Sequence, residues 1–468
     1  MFDLTTEDIT EGSISRALVV LAAPLVIQSF TQVVQQLVDV FWLGRYGENA
    51  VAAVGLNYPI ISIVVILVTL APFVGTQVIV SQRVGGDDAA GARRVAFHGT
   101  TMALAFAFVV GAVTYVAAPS IVRLVGADPA FAGMAAVYLA TYALGMPFVA
   151  VSDTLEGAFT GWGDSRAALY VTLVTVVTNL VLDPFLILGL WVFPELGVEG
   201  AALATVAGFA AGMTLAVALA VGPRDTFSLS LADVGFDPAE YREILDVGGP
   251  LVGQRIAQDA VRVFVVGIVA VAGGAAGLVA YTVGARIASV AFIPAGGLQQ
   301  ASQSIIGQNL GAENPERANR TTWTGVAIAA VGLGLVGAVQ WVVPEPLTTL
   351  FVPDVSEAAL TLSVQYLQIL ALGYWALGAT YIFLGGFNGA RKTKTSLVVS
   401  LVQYWGVRLP VAALGVYVFD VGVSAVFWAV TLSNVAAAVG AGAYYYYTTS
   451  DGMFERAASA AAGSGGAD

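Results

Sequence analysis

No cysteine occurs in the 468 residues. That excludes disulfides, thiolate nucleophiles and Cys-ligated metals. Histidine occurs once, as His98. One imidazole makes neither a metal cluster nor a relay, and its place after Arg93 and Arg94, near a predicted helix start, points to a structural role at an interface. Lysine stands only at Lys392 and Lys394, against seventeen arginines. Charged residues of all kinds make up 11% of the chain, where a soluble domain carries about 25%. A soluble chain this long would divide into domains that each need a polar surface. Here polar surface is scarce and 58% of residues are hydrophobic, so lipid must solvate much of the chain. The N-terminus has Asp3, Glu7, Asp8 and Glu11 and no base before Arg16. That is not a secretory n-region, and the first apolar stretch is expected to be a retained helix. The formal net charge is −12, with acids crowded into termini and loops. Such acidity keeps proteins soluble where salt screens repulsion; it predicts a salt-loving source and disfavours nucleic-acid binding.

A bilayer core takes about 20 apolar residues per helix. The hydropathy pattern predicts an all-α integral membrane protein with twelve transmembrane helices. They fall near 17–41, 52–80, 94–118, 131–160, 166–190, 198–221, 247–272, 277–306, 319–343, 358–388, 395–418 and 421–447. The expected organisation is an N-lobe over 1–221, a cytoplasmic linker over 222–246, a C-lobe over 247–447 and a disordered cytoplasmic tail over 448–468. With both termini inside, the inner segments carry thirteen bases and the outer loops only Arg45 and Arg123. That positive-inside bias predicts cytoplasmic termini.

The halves repeat at an offset near 226 residues. Pro24 and Gln28 match Pro250 and Gln254; residues 81–88 match 307–314; Asp128 matches Asp354. Gly157, Phe159 and Gly161 match Gly385, Phe387 and Gly389, and Pro184 matches Pro410. Six spans per copy give the copies one orientation, so the lobes are expected to be related by a pseudo-twofold axis along the membrane normal.

Two motifs carry no chemistry. Gly332, Gly334 and Gly337 fit the dinucleotide spacing, but inside an apolar span and without the strand that the fingerprint needs; helix packing through small residues is the better reading. Gly386 to Thr393 falls short of a P-loop, because Arg391 stands where glycine is required. With no ATPase motif elsewhere, any coupling must use an ion gradient.

Charges inside spans are the informative residues, because burying one in the bilayer is costly and functional by default. Asp39 lies in the first span. Asp153 and Glu156 share one face of the fourth, and Asn179 and Asp183 one face of the fifth. Gln32 and Gln35 join Asp153 and Glu156 as candidates for substrate contact or relay. The second half at the positions of Asp39 and Asp183 has Val265 and Leu409. It has instead Arg255, Arg262, Arg286 and Arg408, with one acid, Asp259, spaced to pair with Arg255 and Arg262. Packing pairs, an inter-lobe lock and an anion-binding surface are the readings open for these arginines.

At these residues the chain resembles the multidrug and toxic compound extrusion (MATE) family, over about residues 14 to 445. The telling segments are Ala23-Pro24 through Asp39 to Gly47, Gly197 to Thr205, and Ile305 through Gly307-Gln308-Asn309 to Arg317. The resemblance implies paired six-helix lobes and cation-coupled export of amphipathic, often cationic compounds. It looks closest to archaeal members with the cation site in the N-lobe. Their pattern maps onto Asp39, Asn179, Asp183 and Thr205, which would bind H⁺, or Na⁺ as a metal ion. Pro24 matches the proline at which the family's first helix bends. The implied protein is a monomer without a cofactor. It works by alternating access in the cell membrane on small organic cations. The rival reading is a lipid-linked oligosaccharide flippase of the same superfamily, whose diphosphate substrate would suit Arg255, Arg262 and Arg286. A membrane enzyme is disfavoured, since no nucleophile–base pair or metal cluster is present.

Overall fold

A computed structural model describes residues 4–222, 227–353 and 355–464. Among the described residues all regular structure is helical. Nine helices are long and apolar enough to cross a membrane, or eleven if each of two bent pairs is one span. The bent pairs are Ala132–Ala143 with Met146–Trp162, at 51°, and Glu357–Ala371 with Tyr374–Gly389, at 48°. The helix Pro238–Gly311 is two arms broken at Gly274, whose φ of 55° and ψ of −149° are non-helical and suit only glycine.

The chain divides into two compact units. The first comprises Met1–Thr6 and Ala23–Val252, and the second Glu7–Ala22 and Gly253–Asp468. They are called the N-unit and the C-unit below. The expected lobes are 1–221 and 247–447; in this division the start of each half's first helix belongs to the opposite unit. The chain changes unit next to Pro24 and again near Pro250. Pro24 is buried within the helix Ile14–Tyr46.

Within each unit, local geometry repeats with the sequence. Asp88 caps the helix Ala89–Leu124 by accepting from the Gly91 amide, and Asn314 caps Pro315–Val342 by accepting from the Arg317 amide. Both are strong N-cap residues. The residues before them, Asp87 and Glu313, both take left-handed backbone, at φ 59° and 53°. Asp354, the repeat partner of Asp128, lies outside the described residues. Close helix contact repeats too. A Cβ on Gly161 would lie 2.5 Å from the Gln77 carbonyl oxygen, and one on Gly389 would lie 2.8 Å from that of Gln303. Only glycine lets these backbones approach so closely. Gly337 of the glycine-rich span packs the same way, 2.5 Å from the Ala371 carbonyl oxygen by the same measure.

The segment expected to be a linker is built into the N-unit over its described residues. Phe227 is fully buried and meets Phe159 edge-on at 5.3 Å. Burying such a ring contributes about 1.5–3 kcal/mol. Arg83 makes a buried fork to Glu240, at 2.7 and 2.9 Å, and a third bond to Glu243 at 3.0 Å. Arg93 pairs with Asp233 at 3.2 Å. His98 is buried; its Nε2 accepts from the Asp237 amide, which leaves Nδ1 to donate to the Arg94 carbonyl at 2.7 Å. Of the polar residues in this segment, Asp233, Glu240 and Glu243 are held in ion pairs, while Asp237, Arg242 and Asp246 remain exposed.

The C-unit is sealed differently. Arg317 donates to the Ile9 carbonyl at 3.1 and 3.2 Å, and Ile9 is fully buried. The tail expected to be disordered forms the helix Met453–Ser464. Its composition is polar and small, but Met453 and Phe454 bury against the C-unit, with Phe454 edge-on to Tyr445 at 5.8 Å.

Candidate functional site

Two helices of the N-unit, Ser165–Leu188 and Val198–Val221, lie in close contact along glycines. A Cβ on Gly208 would sit 2.6 Å from the Thr175 carbonyl oxygen. That approach brings Thr205 beside Asn179. The Asn179 amide nitrogen donates to the Thr205 hydroxyl at 3.3 Å and to Asp183 Oδ1 at 3.4 Å. Thr205 in turn donates to the Ala201 carbonyl at 3.0 Å. Asp183 and Asn179 are fully buried, Thr205 nearly so, and Asp39 half-buried. The helix Ile14–Tyr46 carries Asp39 within hydrogen-bonding reach of Asp183. All four predicted residues therefore meet.

The chemistry of this cluster is lopsided. Asp39 Oδ1, Asp183 Oδ2 and Asn179 Oδ1 are buried acceptors with no donor among the described residues. Buried polar atoms nearly always find a partner, and two carboxylates cannot donate to one another unless one carries a proton. The set of two carboxylates, an amide oxygen and a hydroxyl suits a proton or a hard cation, since hard cations take oxygen ligands.

A second acidic group lies in the same unit. Glu156 is buried and accepts a short hydrogen bond from the Gln28 amide. Gln28 also donates to the Thr172 hydroxyl at 2.7 Å. Asp153, one turn earlier on Met146–Trp162, is hydrogen-bonded by Thr69. Thr69 lies in a π-helical turn, Ile66–Leu70, a feature frequent at functional sites. Tyr142 lies within electrostatic reach of both Asp39 and Asp153, and Tyr138 within reach of Asp39 and Asp183. The acids thus lie in two groups of the N-unit, Asp39 with Asp183 and Asp153 with Glu156, and neither group makes an ion pair among the described residues. Gln28, Thr69, Tyr138, Tyr142 and Thr172 escaped the sequence reading because neutral residues in apolar spans carry no charge signal. Gln28 alone was visible, through its match to Gln254. Gln32 is exposed and Gln35 half-buried, and neither makes a side-chain hydrogen bond among the described residues.

The C-unit holds the opposite sign. Asp259 is clasped by Arg255 at 3.2 Å and Arg262 at 3.3 Å. Arg286 is exposed and has no ion pair among the described residues. Arg408 is held by neutral groups: Nε donates to Ser433 at 2.9 Å and Nη2 to Asn434 at 2.8 Å. The equivalent of Gln28 keeps its role, with Gln254 donating to the Ser400 hydroxyl at 2.8 Å. The equivalents of the N-unit acids do not: Val265 and Leu409 belong to the apolar core.

The profile of the MatE family matches the chain twice, over residues 24–185 and 250–414. The chain is 25% identical over 419 residues to the "Probable multidrug resistance protein NorM" of Thermotoga maritima, covering 90% of this chain and 89% of that protein. It is 28% identical over 433 residues to the protein of the same description in Pseudomonas putida, covering 91% and 92%. A solved MOP superfamily transporter from Pyrococcus furiosus superposes with a TM-score of 0.88 at 24% identity, covering 96% of this chain and 99% of that one; that likeness establishes the fold alone.

Proposed function

The chain belongs to the MatE family, and from that premise we propose that it exports amphipathic organic compounds against uptake of H⁺ or Na⁺. Membership makes it a multi-pass membrane transporter and not an enzyme. Counting the two arms of Pro238–Gly311 separately brings the eleven candidate spans to twelve, which supports two lobes of six. The multidrug-resistance relatives favour export over the flippase reading.

One observation carries the proposal: three buried acceptor oxygens, on Asp39, Asp183 and Asn179, without a donor among the described residues. Such a cluster is costly to enclose while both carboxylates are charged. An entering cation relieves that cost, so it stabilises the closed form of the N-unit over the open one. A ligand shifts an equilibrium only through such a difference. Export follows when substrate release and ion entry exclude each other. Pro24, which removes one helix hydrogen bond close to where the chain changes unit, is the proposed bending point. The archaeal-type arrangement, organic cations as the main substrates and a monomeric state belong to this proposal.

Proteoliposome transport of a cationic dye, with a proton or a sodium gradient imposed separately, tests it. One gradient is expected to drive export, and dye movement indifferent to both defeats the reading. Cytoplasmic termini are tested by Ala232→Cys, an exposed position in a chain without native cysteine. An impermeant thiol reagent should label it only after the cells are opened.

A further inference from the structure

Arg408 closes a π-helical turn, Val402–Arg408, inside an apolar span. Its guanidinium lies over the Tyr404 ring at 4.3 Å. Ser433 and Asn434 engage Nε and Nη2, and Gln403 fixes Asn434 by donating to its oxygen at 3.0 Å. A guanidinium has donors on all three nitrogens, so Nη1 is left for a ligand and is already oriented. Nothing here neutralises the charge: Ser433, Asn434 and Tyr404 are all neutral.

Arg255 and Arg262 add two charges and Asp259 removes one. Asp259 is the one acid the sequence places within the C-unit spans. The three arginines therefore hold two positive charges in excess. Intramembrane charges in excess of their partners mark a substrate or ion path. Trp405, in the same π-turn as Arg408, donates its indole N–H to the Ala257 carbonyl at 3.0 Å and meets Phe264 edge-on at 5.9 Å, which holds the helix carrying Arg255 and Arg262 against that turn. Tyr281 is half-buried and backed by the buried Tyr366 at 5.6 Å, which stacks in turn on the buried Phe427 at 4.4 Å; Tyr381, also half-buried, meets Phe292 at 6.2 Å. Flat rings beside fixed guanidiniums recognise a planar aromatic body and an oxyanion together. An organic cation meets repulsion at the same place.

We infer that the C-unit cluster of Arg255, Arg262, Arg408 and their tyrosines binds the carboxylate or phosphate of a flat aromatic compound. This rests on the exporter reading and extends its substrates to aromatic anions and zwitterions. The binding claim stands or falls separately from gradient coupling.

The test uses the full chain in proteoliposomes with two dyes of one xanthene skeleton, anionic fluorescein and cationic rhodamine 6G. Arg262→Gln and Arg408→Gln are each expected to weaken fluorescein binding by about tenfold, as losing a charge-assisted bond should, with rhodamine 6G unchanged or tighter. Melting temperatures identify any variant that fails to fold. Arg262→Gln carries the test if Arg408→Gln does, since the Arg262 side chain is 58% exposed. Absent fluorescein binding, or equal losses for both dyes, overturns the inference even if rhodamine 6G export follows a gradient. Arginine-dependent fluorescein binding without gradient-driven export of either dye upholds the inference and overturns the exporter reading instead.

Discussion

The two units share a repeat and differ in the sign of the charges that the second half lost and gained inside its spans. The N-unit holds Asp39, Asp183, Asp153 and Glu156, none of them in an ion pair among the described residues, and its arginines stand toward the ends of the spans. The C-unit holds Arg255, Arg262, Arg286 and Arg408 with one acid. The scaffolds agree in detail: matched N-caps at Asp88 and Asn314, matched left-handed residues at Asp87 and Glu313, and matched bends of 51° and 48°. Gln28 and Gln254 each bond a hydroxyl on the equivalent helix. Structural positions thus stayed alike while charged positions diverged, the pattern expected if the charges serve the proposed function and the shared polar bonds serve packing. A duplicated fold can give ion uptake to one copy and leave the other to meet a different ligand.

The largest expected effect breaks the comparison on the acidic side. Asp39→Asn and Asp183→Asn each keep size and hydrogen-bonding capacity and remove a charge. Coupled export should fall below about a tenth of wild type, because intramembrane acids of this kind are functional by default, while the protein stays monodisperse. Wild-type rates with unchanged ion dependence in both variants would remove the N-unit site. Asp153→Asn and Glu156→Gln should fall between, since Glu156 already has donors in Gln28 and Thr172. Asp128→Asn, in an exposed turn where the side chain accepts only from the Ala130 amide, should be mild.

Next is a stability effect that separates how the units are sealed. Arg83→Gln leaves Glu240 buried without its partner and should destabilise by about 3–5 kcal/mol, read as a fall in melting temperature. Pairing it with Glu240→Gln should recover much of the loss. If Arg83→Gln melts like wild type, the 238–252 segment is not held to the N-unit by that ion pair.

A smaller effect sharpens the basic side. The Asp259 pairs are half-exposed, and such pairs contribute less than about 1 kcal/mol. Asp259→Asn should barely move the melting temperature. It should tighten fluorescein binding by up to about fivefold, because each of these pairs restrains an arginine by no more than that energy. A large destabilisation would return the cluster to a packing role.

The smallest effect is local and concerns acid. Burial alone would raise the Asp233 carboxyl, but the Ser230 amide, the Ser230 hydroxyl and Arg93 outweigh it and hold it below the usual carboxylate range. A lowered folded value means that the stabilisation is fully present above the unfolded value of about 4. It is lost as pH falls through the folded one. Protection of the 227–237 amides against hydrogen exchange, relative to the intrinsic rate at each pH, should therefore be high at neutral pH and fall in strong acid. Asp233→Asn should flatten that dependence, and an unchanged profile in the variant would assign it elsewhere.

Much was legible in the chain alone. Lipid as solvent, helical spans, the repeat and the in-span charges follow from composition and spacing, because an uncompensated charge in an apolar run has one physical meaning wherever the helix lies. Asn179 and Asp183 could be placed on one face because helical periodicity is local. The resemblance grouped Asp39 and Thr205 with them; the physical means for Thr205 is the close helix packing at Gly208, which no spacing encodes. The tertiary structure also decided what the polar segment after residue 222 does. It was expected as a cytoplasmic linker, since a sequence does not say whether Glu240 will meet water or Arg83. The helix Met453–Ser464 looked disordered for a like reason: its small, polar composition stabilises no helix by itself, and the burial of Met453 and Phe454 against the C-unit supplies what the composition lacks.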